Sequence, residues 1–331
     1  MDVGGIRFEN VSKWYPGSDR PAVNNVSLSV EEGQLVVLLG SSGCGKTTLL
    51  KMVNRLYEQS EGAIYVNGKD TRDVPVNELR RQIGYVIQQS GLFPHMTVEQ
   101  NIAVVPEMLG WPKERIERRI DELLELVHLD PGLYRKRYPR QMSGGQQQRV
   151  GLARALAADP PFMLMDEPFG AIDAITRTKL QDELVSIQKK LHKTIMFVTH
   201  DVDEALRLAD KIIIMKDGEV VQYDTPLAII AQPKNDFVRN LIGGEDVIRQ
   251  ISLIAVEAAM KPPEGKDAPA GSRKIRRDDN LKAALSLMLR SGAEKLAVVD
   301  EEERHVGELS LAHIQELLRA ERNMSGVGVN A

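Results

Sequence analysis

Residues 40–48 read GSSGCGKTT and follow the apolar run LVVLL, the order of strand, glycine-rich turn and Lys-Thr that a phosphate-binding loop requires. Gly40, Gly43 and Gly45 let backbone amides approach phosphate oxygens, and Ser41, Ser42, Cys44 and Thr48 complete the loop. Lys46 is placed to reach β- and γ-phosphoryl groups, and Thr47 to set its hydroxyl on Mg²⁺. A second apolar run, FMLMD, ends in Asp166 and Glu167. Asp166 suits a magnesium shell, and Glu167 is placed to polarise an attacking water as general base. A third run, TIMFVTH, ends at His200, a candidate sensor of the γ-phosphate.

A further stretch, MSGGQQQRV at 142–150, opens a helix far downstream of the loop. Ser143 reads as an N-cap, followed by Gly144, Gly145 and Gln146 and then an amphipathic run through Val150, Ala153, Leu156 and Ala157. Bare backbone N–H groups at such an end bind anions. The chain therefore carries two anion-seeking helix starts where one phosphate loop needs only one.

The elements that must hold these residues are an α/β set. Short β-like runs alternate with turns over the first 80 residues (IRFENVSKWY, VNNVSLSV, LVVLLG, AIYV). Over 92–156 the period changes. Ile116, Ile120, Leu123, Leu124 and Val127 fall on one helical face, which predicts a helical insert. FMLMD and TIMFVTH, separated by the helical TRTKLQDELVSIQKKL, predict a β-α-β crossover and a parallel sheet, and KIIIMKDGEVV a hairpin. A break follows Gly243 and Gly244. The expected organisation is a main domain over 1–244, a linker over 245–272 containing KPPEGKDAPAGS, and a small α+β unit over 273–331. In that tail Leu281, Ala284, Leu285, Met288 and Leu289 form a helical stripe, LAVVD and HVGELS read as strands, and AHIQELLRA as a closing helix.

The totals exclude several classes. The 331 residues suffice for one full domain and an appendage, and a formal charge of −4 offers nothing to nucleic acid. No apolar run approaches the ~20 residues of a membrane span, and MDVGGIRFEN has no signal-peptide core, so a cytosolic location is expected. The single cysteine, Cys44, can form no internal disulfide.

Taken in this order, GSSGCGKTT, MSGGQ, FMLMDE and TIMFVTHD resemble the nucleotide-binding subunit of an ABC transporter over roughly residues 5 to 240. The resemblance implies a P-loop ABC ATPase fold, with a mixed sheet core, an antiparallel β-subdomain and a helical subdomain. It implies ATP and Mg²⁺ as ligands. It makes Tyr15 the adenine-stacking aromatic, with Trp14 its rival, and Gln88 a switch glutamine that shares the metal with Thr47 and Asp166. MSGGQ becomes the signature, Asp173 the D-loop aspartate and His200 the switch histidine. Met142 for the usual Leu is a near-isosteric apolar change. It further implies a head-to-tail homodimer in which Ser143, Gly144 and Gly145 serve the ATP held by the other subunit's loop. The implied partners are permease subunits and a substrate-binding protein or domain, and the implied place is the cytoplasmic face of the cell membrane.

Within the family, KMVNRLYEQSEGAIYVNGKD and IGYVIQQSGLFPHMTVEQNI look most like importers of quaternary-ammonium osmoprotectants such as glycine betaine, choline or carnitine, and VVDEEERHVGELSLAHIQELL resembles one CBS motif. Import of another small solute stays open, because this subunit does not touch the cargo. The other classes weighed are a soluble ABC ATPase of DNA repair or translation and a small-molecule P-loop kinase. The chain lacks the paired cassettes or long insertions of the former, and a kinase has no use for MSGGQ.

Overall fold

The computed structural model of the protein describes residues 4–87, 91–170, 172–243, 251–263, 272–314 and 316–317. Contacts divide it into two compact units, Met1–Tyr223 and Asp224–Ala331.

The first unit is built on two sheets. β1 (Gly5–Lys13) pairs antiparallel with β2 (Val23–Glu31). β3 (Leu35–Gly40) leads into α1 (Lys46–Val53), after which β4 (Glu61–Val66) and β5 (Lys69–Asp70) complete a four-stranded sheet in the order β2-β1-β4-β5. α2 (Val76–Arg81) and β6 (Ile83–Val86) precede the helical block. That block comprises α3 (Val98–Met108), α4 (Lys113–Leu126), α5 (Pro131–Tyr134) and α6 (Gly144–Leu156). Then come β7 (Phe162–Asp166), α7 (Ala174–Leu191), β8 (Thr194–Val198), α8 (Val202–Leu208), β9 (Lys211–Lys216) and β10 (Glu219–Asp224).

The second sheet has the order β10-β9-β3-β8-β7-β6, and β6, β7, β8, β3 and β9 run parallel. Every residue of β3, β7 and β8 is buried. A strand covered on both faces gains nothing from alternation, which is why these three read as unbroken apolar runs. Because they are parallel, their carboxyl ends emerge along one edge and bring Gly40, Asp166 and Val198 to the same crevice. Leu49, Leu50, Met52 and Val53 of α1 join β1, β3 and β4 in one core, so the helix that starts at the glycine loop is anchored by its apolar face.

In the helical block Ile116, Ile120, Leu123 and Leu124 of α4 are buried, as their spacing predicts. α3 opens on a Thr97–Gln100 capping box that satisfies two end donors reciprocally.

The second unit contains β11 (Lys274–Arg276), β12 (Lys295–Val299) and β13 (His305–Ser310), with β11 and β12 parallel and β12 and β13 antiparallel. The helix Leu281–Ser291 buries Leu281, Ala284 and Met288 against them. Residues 251–260, assigned to a linker in the sequence reading, differ from that expectation. Ile251, Ile254, Val256 and Ala259 lie in the same core, and Lys261 N donates to Glu308 O at 2.9 Å. Four apolar side chains in nine residues have area to bury, and a short helix at Val256–Ala259 presents it. The second half of that linker, 264–271, lies outside the described residues. β11 is a strand the sequence did not announce: Ile275 alone is buried between Lys274 and Arg276.

Candidate active site

The chain leaves β3 at Gly40 and enters α1 at Lys46. Gly45 caps the helix with φ 105°, and no side chain bonds to the helix end. A Cβ at Gly45 would stand 2.3 Å from Ala22 O, so both torsion and space demand glycine there. The first amides of α1 are thus uncovered by side chains, the arrangement that receives an anion. Lys46 is 7% exposed, and its ammonium donates to Gly40 O at 2.7 Å and Ser41 O at 2.9 Å. The cation is held inside the loop by the loop's own carbonyls, at the place where phosphate oxygens would compete for it.

Asp166 closes β7 and is 6% exposed. Thr47 Oγ1 donates to Asp166 Oδ1 at 2.8 Å, linking the start of α1 to the end of β7. Burial pushes the Asp166 carboxyl above the usual range, against the lowering effect of the Thr47 bond. A hydroxyl and a buried carboxylate, short of neutralising charge, form the sparse oxygen set that Mg²⁺ takes when phosphates and waters fill its other positions. Among the described residues no cluster of three or more His, Cys, Asp or Glu offers a denser metal site.

Glu167 extends the β7–β8 pairing by donating its backbone N–H to Val198 O at 3.0 Å, then turns with φ 47°. The left-handed torsion is costly for a non-glycine residue and sends the chain out of the sheet at this point. The Glu167 side chain meets His200, with Nδ1 3.1 Å from Oε1. The imidazole is largely exposed, whereas Glu167 is mostly covered. Ala22, Ser42, Gly43, Cys44, Gly45, Lys46, Thr47, Thr48, Glu167 and His200 line one cavity of about 440 Å³. It holds a cation, exposed helix amides, a hydroxyl and a carboxylate–imidazole pair, which is the equipment for phosphate binding and attack by water.

Other expected residues lie elsewhere. Tyr15 does not line this cavity; its ring stands edge-on to Tyr57 at 6.0 Å, with Lys13 Nζ 5.5 Å from its centroid. Trp14 is also exposed, and its backbone N–H donates to Ser60 Oγ at 3.0 Å. Ser143 caps α6 in a reciprocal box with Gln146, and Gln146 Nε2 donates to the Tyr134 hydroxyl at 3.0 Å. Ser143 and Gly144 are exposed, and neither they nor Gly145 and Gln146 line the cavity of their own chain. Asp173 caps α7, and hydrogen bonds from Thr176 hold its carboxyl below the usual range. Gln88 lies outside the described residues. The sequence reading missed Ala22, whose carbonyl closes the loop; it carries no functional group and only its position matters.

A phosphate loop between β3 and α1, with Asp166 and Glu167 two strands away, defines a P-loop nucleoside triphosphatase. Residues 23–170 match the family model described as ABC transporter. The chain is 50% identical over 297 residues to the choline transport ATP-binding protein OpuBA of Bacillus subtilis, covering 90% of this chain and 76% of that protein. It is 49% identical over 314 residues to the glycine betaine uptake system ATP-binding protein YehX of Escherichia coli, covering 95% and 99%. The dimeric structure of the ATP-binding cassette MJ0796, in a post-hydrolysis state bound to ADP and Pi, superposes with a TM-score of 0.62 at 35% identity, over 67% of this chain and 98% of that one. The chain belongs to the ATP-binding proteins of ABC transporters, binds ATP and is an ATPase.

Proposed function

We propose that the protein is the ATP-hydrolysing subunit of an importer of quaternary-ammonium osmoprotectants. The observation that carries the reading is the likeness, over 89–98% of this chain and at 40–50% identity, to proteins named for choline, glycine betaine, carnitine or osmoprotectant transport.

In this reading two copies meet head to tail. Ser143 and Gly144 are exposed at the N-terminus of α6 and away from their own cavity, so the phosphate they attract is the one held by the partner's loop. Asp173, at the head of α7, faces the same junction. Gln88 follows β6 as the switch glutamine and shares the metal with Thr47 and Asp166, and Tyr15 or Trp14 stacks on adenine.

Hydrolysis follows from the cavity. The amides of 43–48 bind the phosphates, and Lys46 leaves the carbonyls of Gly40 and Ser41 for the β- and γ-oxygens. Thr47 and Asp166 would hold Mg²⁺, which when bound would neutralise charge developing on the phosphate oxygens as ADP departs. Glu167 draws the proton from the attacking water. His200, in contact with Glu167, orients that carboxylate and donates toward the γ-phosphate. Cleavage replaces one bridging ligand with two repelling products, and the pair of subunits opens.

The motion passes to a permease at the cytoplasmic face of the membrane. Among the described residues no helix is long and apolar enough to cross a bilayer. A cleft of about 230 Å³ lined by Arg80, Arg81, Tyr85, Val105 and Arg154 is the docking place we favour. Arg80, Arg81 and Arg154 bring three basic side chains to its lining. A cytoplasmic permease segment carrying a carboxylate fits that chemistry. Phe93, 41% exposed with its ring 5.6 Å from the Arg154 guanidinium, stands nearby. A substrate-binding protein or domain completes the importer, and the tail over 273–331 is read as a single CBS-like regulatory motif.

The test is uptake of labelled glycine betaine, choline and carnitine by the complex reconstituted in vesicles. ATP-dependent accumulation of at least one supports the reading; hydrolysis without uptake of any of the three overturns the substrate assignment.

A further inference from the structure

Glu204 is a carboxyl with no part in the scheme above, and it is among the most deeply covered in the molecule. It lies on α8, 8% exposed, four positions past His200. Its Oε1 accepts a hydrogen bond from Gln181 Nε2 at 2.9 Å, and its carboxyl accepts another from the Thr199 hydroxyl. Thr199 Oγ1 in turn accepts from Asp201 N at 3.0 Å, and Asp201 Oδ1 accepts from Glu204 N at 3.1 Å. The two residues flanking His200 are therefore both tied to Glu204, one through its hydroxyl and one through the helix cap.

The placement is expensive for a purely structural element. Burial raises the Glu204 carboxyl above its usual range, and an apolar side chain would fill the same volume without desolvating a charge. What the carboxyl adds is direction, because two donors converge on it from different elements. Thr199 comes from the end of β8. Gln181, itself 5% exposed, comes from the middle of α7, the helix that opens at Asp173.

We infer that Glu204 is a positioning residue for hydrolysis: it holds the Thr199–Asp201 backbone so that the exposed His200 imidazole keeps its contact with Glu167, and through Gln181 it ties that backbone to the helix headed by Asp173. The inference rests on the reading of His200 as part of the hydrolytic site. The imidazole is 71% exposed and makes its Glu167 contact at 3.1 Å, so little besides its backbone holds it there.

The experiment compares Glu204→Leu, Glu204→Gln, Thr199→Val and the double variant Glu204→Leu/Thr199→Val in the full-length protein, reading both turnover and the Kd for ATP. Neither residue lines the phosphate cavity, so positioning predicts a split. Glu204→Leu and Thr199→Val each lose at least ~10-fold in kcat while ATP Kd stays within about twofold. Glu204→Gln keeps turnover within about threefold, since its amide can accept from Gln181 and donate to Thr199. The double variant falls no further than the worse single one, as expected for one shared network. Should Glu204→Leu fail to fold, Thr199→Val, which removes one oxygen and conserves shape, carries the test. Normal kcat in Thr199→Val, or a parallel loss of ATP binding and turnover, overturns the inference. His200→Ala measured beside them separates the two readings. Wild-type turnover there removes His200 from the site, whereas an inactive His200→Ala with normal Thr199→Val and Glu204→Leu removes only the role of Glu204.

Discussion

His200 Nδ1 stands 3.1 Å from Glu167 Oε1, joining the ends of two adjacent parallel strands above the phosphate loop. The contact fixes which carboxylate of the Asp166–Glu167 pair faces the solvent side of the cavity. Asp166 is turned inward to Thr47, and Glu167 outward to the imidazole.

That division of labour makes Glu167→Gln informative. The amide keeps the size of the side chain and leaves Lys46, Thr47 and Asp166 in place, but it cannot take a proton. Turnover falls more than ~100-fold while ATP still binds, and the product is an ATP-locked dimer visible as a doubled mass on size exclusion. Normal turnover with intact ATP binding would sink the assignment.

At Gly45 the prediction concerns backbone rather than chemistry. The residue has φ 105°, and an added Cβ would lie 2.3 Å from Ala22 O. Gly45→Ala shifts the loop away from β2, costs about 1–3 kcal/mol of stability and weakens ATP binding at least ~10-fold. Calorimetric titration with ATP and a thermal melt measure both. Unchanged ATP affinity would show that the loop tolerates the shift.

Cys44 offers a probe of the same loop. It is buried at 3% exposure, with the Lys46 ammonium 3.7 Å from Sγ. A bulky maleimide therefore reacts slowly and, once attached, abolishes ATP hydrolysis, and MgATP protects. Stoichiometric modification that leaves ATP binding intact would contradict the placement of the thiol in the cavity wall.

A charge at Phe93 tests whether hydrolysis and transport can be separated. Its ring is 41% exposed and rests on Arg154 and His95 rather than in the core. Phe93→Glu leaves the fold and the basal ATPase rate of the isolated subunit within about twofold, because nothing buried is lost. In the reconstituted complex it abolishes uptake. Undiminished uptake would place the permease elsewhere.

The tail invites a truncation. Its core, from Ile251 to Ile314, has no residue in common with the cluster of β1, β3, β4 and α1, and the cut is made between them, after Gly244. ATPase activity persists. If Arg273, Lys274, Arg276 and Arg277 sense ionic strength at an anionic surface, uptake by the shortened protein loses its dependence on salt. Two of the four already have carboxylate partners, Lys274 with Glu303 and Arg276 with Asp278, which leaves Arg273 and Arg277 the stronger candidates for such a role. An uptake rate with the same salt response as the full chain would remove the tail from regulation.

Much of this protein was legible in its sequence because the decisive constraints are local. A glycine loop between an apolar strand and Lys46 is a recognisable phosphate-binding pattern. A strand buried on both faces must be apolar throughout, so LVVLL, FMLM and TIMFV declare themselves and carry Asp166, Glu167 and His200 at their ends. The α4 stripe and the Ser143 cap are likewise properties of a few turns of chain. What tertiary structure alone decided is how these ends meet. Nothing in the sequence says that β8 lies between β3 and β7, and it is that order which brings Glu167 to His200 and Thr47 to Asp166 across 119 positions. Nor could it say that 251–260 belongs to a core, since short segments gain their burial from partners distant in sequence. The Gln181–Glu204–Thr199 network was invisible for the same reason. A glutamate on an amphipathic helix reads as surface until another helix is packed against it, and only then does the burial of its charge become an observation that needs an explanation.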